Sequence, residues 1–329
     1  MWQTSKKFSF ILLSLSFALI FTAPLHAQTL LDRIVAVVND EIILQSELNE
    51  EIQQAMVELR QRQITIPDRE SLRQRVLDNM IMQTLQEERA RQRGLRVSDE
   101  EVNEQLLQMA EANNLTLLQL IDALNRQMPN GFAQVRQEIS DQILIQKLRE
   151  IEVISQIFVT EQEVAHFIQR RQLEQNNFLY HLAHILITRP DSPTREQRIE
   201  LENKVEDIHR RLRLGEDFAQ LAVRYSEGSQ ALNGGDLGRL EFDQIPSFFA
   251  DAIERLQPGE ISPIIESPSG YHIVKLHALI ETGKERGITL EQEAIQAIRM
   301  RKANETFDLW LRRLRDEAYI DIKLNVVSQ

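Results

Sequence analysis

Phe178-Leu-Tyr-His-Leu-Ala-His-Ile-Leu-Ile187 decides how the middle of this chain folds. Ten residues rich in aliphatic and aromatic side chains, with no Gly or Pro, read as a buried strand. The text that follows supplies partners for it. Pro193–Leu214 is a polar helix, and Asp217–Tyr225 is a short amphipathic one. A Gly-rich turn, Asn233-Gly-Gly-Asp-Leu-Gly238, leads into a short strand at Leu237–Leu240. Phe248–Leu256 is a helix closed by Pro258-Gly259. Strands at Ile261–Ile265 and Tyr271–Leu276 are joined by Ser267-Pro-Ser-Gly270, a turn-rich stretch. The order is β-α-α-β-α-β-β. A stretch of about 100 residues can bury one core around such a sheet, in an α+β layer arrangement.

The flanks are helical. Leu30–Leu44 reads as a small hairpin in which Ile34-Val-Ala-Val-Val38 and Ile42-Ile-Leu44 flank the polar turn Asn39-Asp-Glu41. Ser46 is placed to cap a helix to about Gln63. Asp68 is placed to cap a second helix to about Arg93, stopped by Gly94. In the second, Leu72, Val76, Leu77, Met80, Ile81 and Leu85 recur at three- and four-residue spacing, so one face is buried. Ser98-Asp-Glu-Glu101, Thr116-Leu-Leu-Gln119 and Thr160-Glu-Gln-Glu163 are capping boxes for further helices, and another runs from about Phe132 to Glu150. Thr289-Leu-Glu-Gln292 caps a long helix to about Glu317, striped by Phe307, Trp310, Leu311, Leu314 and Ala318. A helix with such a stripe must bury it. The N-terminal helical region is the nearest partner. The strand-rich region and a second subunit are the rival partners. Gln175-Asn-Asn177 and Glu281-Thr-Gly-Lys-Glu-Arg-Gly287 read as linkers.

The N-terminus reads as a secretory signal. Lys6 and Lys7 precede an apolar run from Phe8 to Phe21, and Ala23-Pro-Leu-His-Ala27 follows with a small residue at the cleavage position. An uncleaved anchor is the rival reading. The run is shorter than the about 20 residues of a membrane span, and no stable membrane insertion is expected after cleavage. The whole chain carries a net charge of −12. Removing residues 1–27 takes two lysines and no acids, leaving 36 basic against 50 acidic residues, a net charge of −14. Such an acidic chain repels phosphate backbones, so nucleic acid is not an expected partner. There is no cysteine, which excludes disulfides, thiolate nucleophiles and Cys-ligated zinc. His181-Leu-Ala-His184 makes a poor metal pair, because three-residue spacing on a strand sends the side chains to opposite faces. No metal, cofactor or catalytic triad is expected.

Taken together, the pieces in residues 178–277 resemble a parvulin-type (PpiC, or rotamase) peptidyl-prolyl isomerase domain, of FKBP-like fold. The resemblance assigns His184 and His272 to the family's two active-site histidines, and Ser267 and Ser269 to the hydroxyl positions beside them. It assigns Leu237, Ile245 and Phe249 to the apolar seat for proline. Ser226, Gly235, Asp236 and Gly238 match turn positions. Where the family usually has Cys or Asp, this chain has Gly228, and Glu227 points elsewhere. Catalysis of a bond rotation opposed by ~18–20 kcal/mol needs no nucleophile, only a site that favours the twisted amide. With the seat and histidines kept but Gly228 bare, the resemblance leaves two expectations open: weak isomerase activity, or binding of proline- or aromatic-containing peptides without catalysis.

The first region resembles the N-terminal domain of the SurA family of periplasmic chaperones. The matching pieces are Ile34–Leu44 with Ser46-Glu-Leu48, then Leu77-Asp-Asn-Met-Ile-Met-Gln83, Val97-Ser-Asp-Glu-Glu101 and Asn113-Asn-Leu-Thr116. The expected organisation is a signal peptide at 1–27, a mainly α-helical chaperone domain at 28–175, a parvulin-type α+β domain at 176–280, and a linker with a C-terminal helix at 281–329 completing the helical domain. The family often carries two parvulin domains, and this chain has room for one. The resemblance implies a periplasmic chaperone for unfolded outer-membrane β-barrel proteins. Met56, Met80, Met82, Met109 and Met128 are candidates for an adaptable groove, or plain core fillers. The alternative function is a fully active general periplasmic foldase without preference for barrel proteins.

Overall fold

The structure, a computed structural model, describes residues 32–127, 130–173, 178–281 and 289–324. The signal segment, most of both linkers and Met128 lie outside the described residues.

The hairpin forms as strands β1 (Ile34–Val38) and β2 (Glu41–Leu44), with Asn39 at φ 49° in the tight turn. Five helices follow: α1 (Gln45–Gln61), α2 (Arg69–Gln92), α3 (Asp99–Ala112), α4 (Leu117–Gln127) and α5 (Gly131–Glu152). The Asp68 carboxylate accepts from the Ser71 N–H at 3.0 Å, and Ser98 and Glu101 form a reciprocal box. Helix α1 starts two residues earlier than its hydroxyl suggested. Leu44 takes the cap position, and the Glu47 carboxylate reaches back to its N–H at 2.8 Å, so Ser46 sits inside the first turn. Leu72, Val76, Leu77, Ile81 and Leu85 of α2 are buried with Val35, Ala36, Val38 and Leu48 in one core. Met56, Met80 and Met82 pack at its edge, and Met109 packs on a smaller cluster of α3, α4 and α5. Helix α6 (Glu161–Leu173) leads out of this region.

The second sheet has the order β4-β3-β6-β5, all antiparallel. Strand β3 (Phe178–Thr188) runs through its centre between β4 (Asp236–Glu241) and β6 (Gly270–Glu281). Helices α7 (Arg195–Arg213) and α8 (Phe218–Tyr225) cover one face through Val205, Ile208 and Leu221. Helix α9 (Ser247–Ile253) covers the other. The expected strand at Ile261–Ile265 is corrected. Strand β5 is Ile265–Ser267, and Ile261 makes only an isolated bridge to Lys275. Pro263 has no N–H to give to the ladder, so pairing starts after it. Ser262 bonds instead, its Oγ accepting from the Val274 N–H at 2.9 Å.

The long C-terminal helix α10 (Leu290–Asp316) is capped by Thr289 and packs against α2 and α6. Leu314 is buried in the core of α2 and β1, with Trp310 and Ala318 beside it. Arg149 of α5 lies 4.6 Å over the Phe307 ring and donates to Asn304 Oδ1 at 2.8 Å. A strand too short to be legible in the sequence, β7 (Ile320–Ile322), then pairs with β1 to complete a sheet of order β2-β1-β7. Leu314→Ala should therefore destabilise the chain by about 2–5 kcal/mol, the range for truncating a buried leucine. Leu214→Ala, 81% exposed, should stay within about 0.5 kcal/mol in the same chemical denaturation. Deleting residues 289–329 should abolish the cooperative melt of the helical region. Equal midpoints for Leu314→Ala and the parent would refute this account of the core.

Candidate functional site

Alternation along β3 sends Ala183, Ile185 and Ile187 to the α7–α8 side of the sheet and Tyr180 and Leu182 to the α9 side. His184 continues the second series. It pairs with Val274 on β6, and His272 stands two residues before Val274. The two histidines are thus diagonal cross-strand neighbours on one face. Both are buried, and their rings stack with centroids 5.8 Å apart. His181 goes elsewhere. Its Nε2 lies 3.0 Å from Asp236 Oδ1, and its ring is 5.0 Å from His277.

The β5–β6 turn sets Ser267 opposite Gly270 and folds both serines back onto His272. Ser267 Oγ lies 2.7 Å from His272 Nε2 and 2.8 Å from Ser269 Oγ, which is itself 3.2 Å from Nε2. The Ser269 N–H donates to Ser267 Oγ at 3.1 Å. Burial pushes the His272 imidazole down to about 3, with the neighbouring His184 a second cause. Burial lowers His184 as well. Both rings are therefore neutral near pH 7 and serve as dipoles and hydrogen-bond partners rather than as charges.

Ile245 and Phe249 are buried and Leu237 is half-buried, in one cluster with Tyr180 and Leu182. Phe249 meets His272 edge-on at 5.1 Å and His184 at 6.3 Å. The seven residues assigned to the site by resemblance lie together on this face, with Gly228 beside them. Phe248 belongs with them although it was not singled out. Its ring lies 5.4 Å from that of His272 and 4.6 Å from Phe249. The Phe248-Phe249 doublet was its signal in the sequence.

Gly228 is where the polar half of the site thins out. A Cβ there would sit 3.0 Å from His184 Nε2 and 3.5 Å from Ser226 Oγ. Ser226 is buried, and its Oγ accepts from the N–H groups of Leu186 at 3.1 Å and Gly228 at 3.3 Å, pinning this loop to β3. Glu227 turns away, accepting from the Thr188 N–H at 3.0 Å and Lys204 Nζ at 2.8 Å. Asp236 Oδ1 accepts from the Gly238 N–H at 2.8 Å and shapes that turn. Gly235 is required by close approach. At φ 79° its carbonyl takes the His184 N–H at 2.8 Å, and a Cβ would fall 2.3 Å from the His184 carbonyl oxygen.

The loop holding Gly228 opens on a cavity of about 610 Å³ walled mainly by α2 and α10, with residues of β3, α7, α8 and β7 completing it. Arg75 and Asp78 come from α2, and Asp308, Leu311 and Arg312 from α10. Arg75 reaches across to donate to the Val223 and Arg224 carbonyls, each at 3.2 Å. The candidate site thus lies where the α+β region meets the helical one.

Residues 184–278 match the family described as the PPIC-type PPIASE domain, so the histidine pair stands in a parvulin-type rotamase domain. Residues 31–149 match the SurA N-terminal domain. The Chaperone SurA of Hydrogenovibrio crunogenus is 36% identical over 404 aligned positions covering 90% of each chain. That alignment is longer than the 329 residues of this chain and so includes gaps in it. The Chaperone SurA of Chromohalobacter salexigens is 40% identical over 78% of this chain, which spans 58% of that relative's length. A solved structure described as one of two SurA-like chaperones of Campylobacter jejuni aligns over 88% of this chain and 98% of that one. Its identity is 15% and its TM-score 0.40. The chain belongs to the SurA chaperone family.

The buried imidazoles make stability depend on pH in a definite direction. His272 has a folded value near 3 against an ordinary 6.5, so in that window the unfolded chain binds a proton that the folded site refuses. Its contribution is fully present above about pH 6.5 and is lost as pH falls toward 3, by at most about 1.4 kcal/mol per pH unit. Denaturation at pH 7, 5.5 and 4.5 should show a shallower decline for His272→Asn than for the parent. Parallel declines would mean that His272 is not held neutral.

Proposed function

We propose that this chain is a periplasmic chaperone that binds unfolded outer-membrane β-barrel proteins and assists their folding. The supporting observation is identity of 36% across 90% of both chains with a relative named Chaperone SurA. In this reading residues 28–175 and 281–329 make the client-holding body, and residues 176–280 the rotamase domain. The segment 1–27 directs export. No helix among the described residues is long and apolar enough to cross a membrane.

The rotamase domain handles proline- or aromatic-containing segments of the client. Leu237, Ile245 and Phe249 would seat the ring, while Ser267, Ser269, His184 and His272 would face the peptide bond. With no side chain at position 228, this half of the site favours binding over fast rotation. Unfolded barrel strands alternate apolar and polar residues and lack partners until they reach the membrane. A protein that shields them needs many weak contacts more than rapid chemistry.

The test is aggregation of an urea-unfolded barrel protein diluted into buffer with residues 28–329. Near-stoichiometric chaperone should slow light scattering severalfold, and should do less for an unfolded α-helical control. Equal protection of both would favour a general foldase, and no protection of either would refute the chaperone reading. In a tetrapeptide assay, any prolyl isomerisation should be slow and should fall further in His272→Ala. Cell fractionation should place the chain in the periplasm with an N-terminus at Gln28.

A further inference from the structure

The side chains of α10 that touch the rotamase region share one helical face. Asn304 Nδ2 donates to the Gln244 carbonyl at 3.4 Å, and the Glu305 carboxylate accepts from the Ser247 N–H at 2.7 Å. Both contacts lie on the side of the apolar seat. Arg312 donates to the Arg189 carbonyl and, at 3.4 Å, to the Ser269 carbonyl, on the side of the two serines. Residues three and four apart are neighbours on a helix surface. Asp308, three after Glu305 and four before Arg312, is therefore held between the two sets of anchors. It lines the same cavity as Gly228, whose missing side chain would have begun 3.0 Å from His184 Nε2.

We propose that Asp308 supplies to His184 the acidic group that position 228 lacks, so that the polar half of the rotamase site is assembled from two distant parts of the chain. Asp308 is a positioning residue. It acts on the orientation and protonation of the imidazole and need not touch substrate. The proposal rests on the reading of residues 176–280 as a peptide-handling site.

The electrostatics agree with the placement. Burial pushes His184 down and Asp308 up, and each opposes the effect of burial on the other. Arg149 also favours the ionised carboxylate. The other charged or titratable groups facing this space are His272 from β6, Arg75 and Asp78 from α2, Lys204 from α7, Arg224 and Tyr225 from α8, Glu227 beside Gly228, and Arg312 and Arg315 from α10. Of the acids, Glu227 is bound to Lys204 and Thr188, and Asp78 to Arg315. Asp308 is the one whose charge acts on His184.

The test reads His184 directly, by long-range ¹H–¹⁵N spectra of the ring nitrogens in the full chain between pH 7.5 and 5. Asp308→Asn should move the His184 ring shifts and lower its titration, while those of His181 stay in place. Asp308→Glu, which keeps the charge, should stay near the parent and controls for folding. Gly228→Asp added to Asp308→Asn should return the His184 signals toward the parent and raise peptide isomerisation severalfold over Asp308→Asn alone. Unchanged His184 signals in a folded Asp308→Asn variant overturn the proposal, whatever the activity does. Shifted signals with no isomerase activity in any form support Asp308 in this role and count against the isomerase reading alone.

Discussion

The antiparallel pairing of β7 with β1 is the constraint from which the rest of the arrangement follows. Ile320–Ile322 pair with Val38–Ala36, bringing the last described strand beside the first. The entropy cost of closing a loop grows only slowly with its length, so a long insertion between paired elements is tolerable. What it requires is burial at the closure. Leu314, Trp310 and Ala318 provide it by packing on the same core as Val35, Val38 and Leu72. Once the last turn of α10 is fixed there, its 27 residues must run back along α2 and α6 and across the rotamase region. The helix finishes the first core and walls the site of the second region because one rigid rod has to do both.

Local chemistry made most of the elements legible. A Ser or Thr followed by Glu or Gln three residues on, at the head of a helical run, marks a helix start. Five such starts appear at Ser98, Thr116, Thr160, Thr194 and Thr289, the fourth capping α7 just inside the boundary expected for that helix. Elements failed to read where the deciding partner lies far away. Strand β7 has three residues and no signal of its own beyond alternation, and β1 alone makes it a strand. Helix α1 begins at Gln45 because Glu47 serves a backbone N–H, a competition with Ser46 that composition does not settle. At the site, the histidines, serines and apolar seat were readable because they recur in a known order. Asp308 was not, since nothing in its neighbourhood of sequence refers to His184.

Burial of two neutral imidazoles side by side is unfavourable to their charged forms, and this organises the chemistry. Stacked at 5.8 Å, the rings would repel if both were protonated. The serine pair offers hydroxyls that serve as donor or acceptor, so the network tolerates either tautomer of His272. Such a network can reorient with a rotating amide without moving charge, which suits a reaction in which no bond to the enzyme forms. It lacks a fixed negative partner on the rotamase side, where Gly228 stands. A cysteine or aspartate at that position would belong to the domain itself. Here the space opens instead toward α10.

A carboxylate delivered from another part of the chain has a different physical meaning from one built into the domain. Its effect on His184 depends on how firmly α10 is seated, and α10 is seated by Leu314 and Trp310 in the helical core and by Arg149 over Phe307. The free energy that holds the helical core together is then the same free energy that holds the rotamase site in its completed form. An isolated rotamase domain would keep its seat and histidines and lose this partner, so the properties of the domain in isolation and in the whole chain need not agree. For a chaperone the coupling is useful. In the proposed reading, the segment that closes the client-holding body would also set the polarity of the site where a client proline would sit, and the two regions would be coupled through a single helix rather than through a surface patch between independent domains.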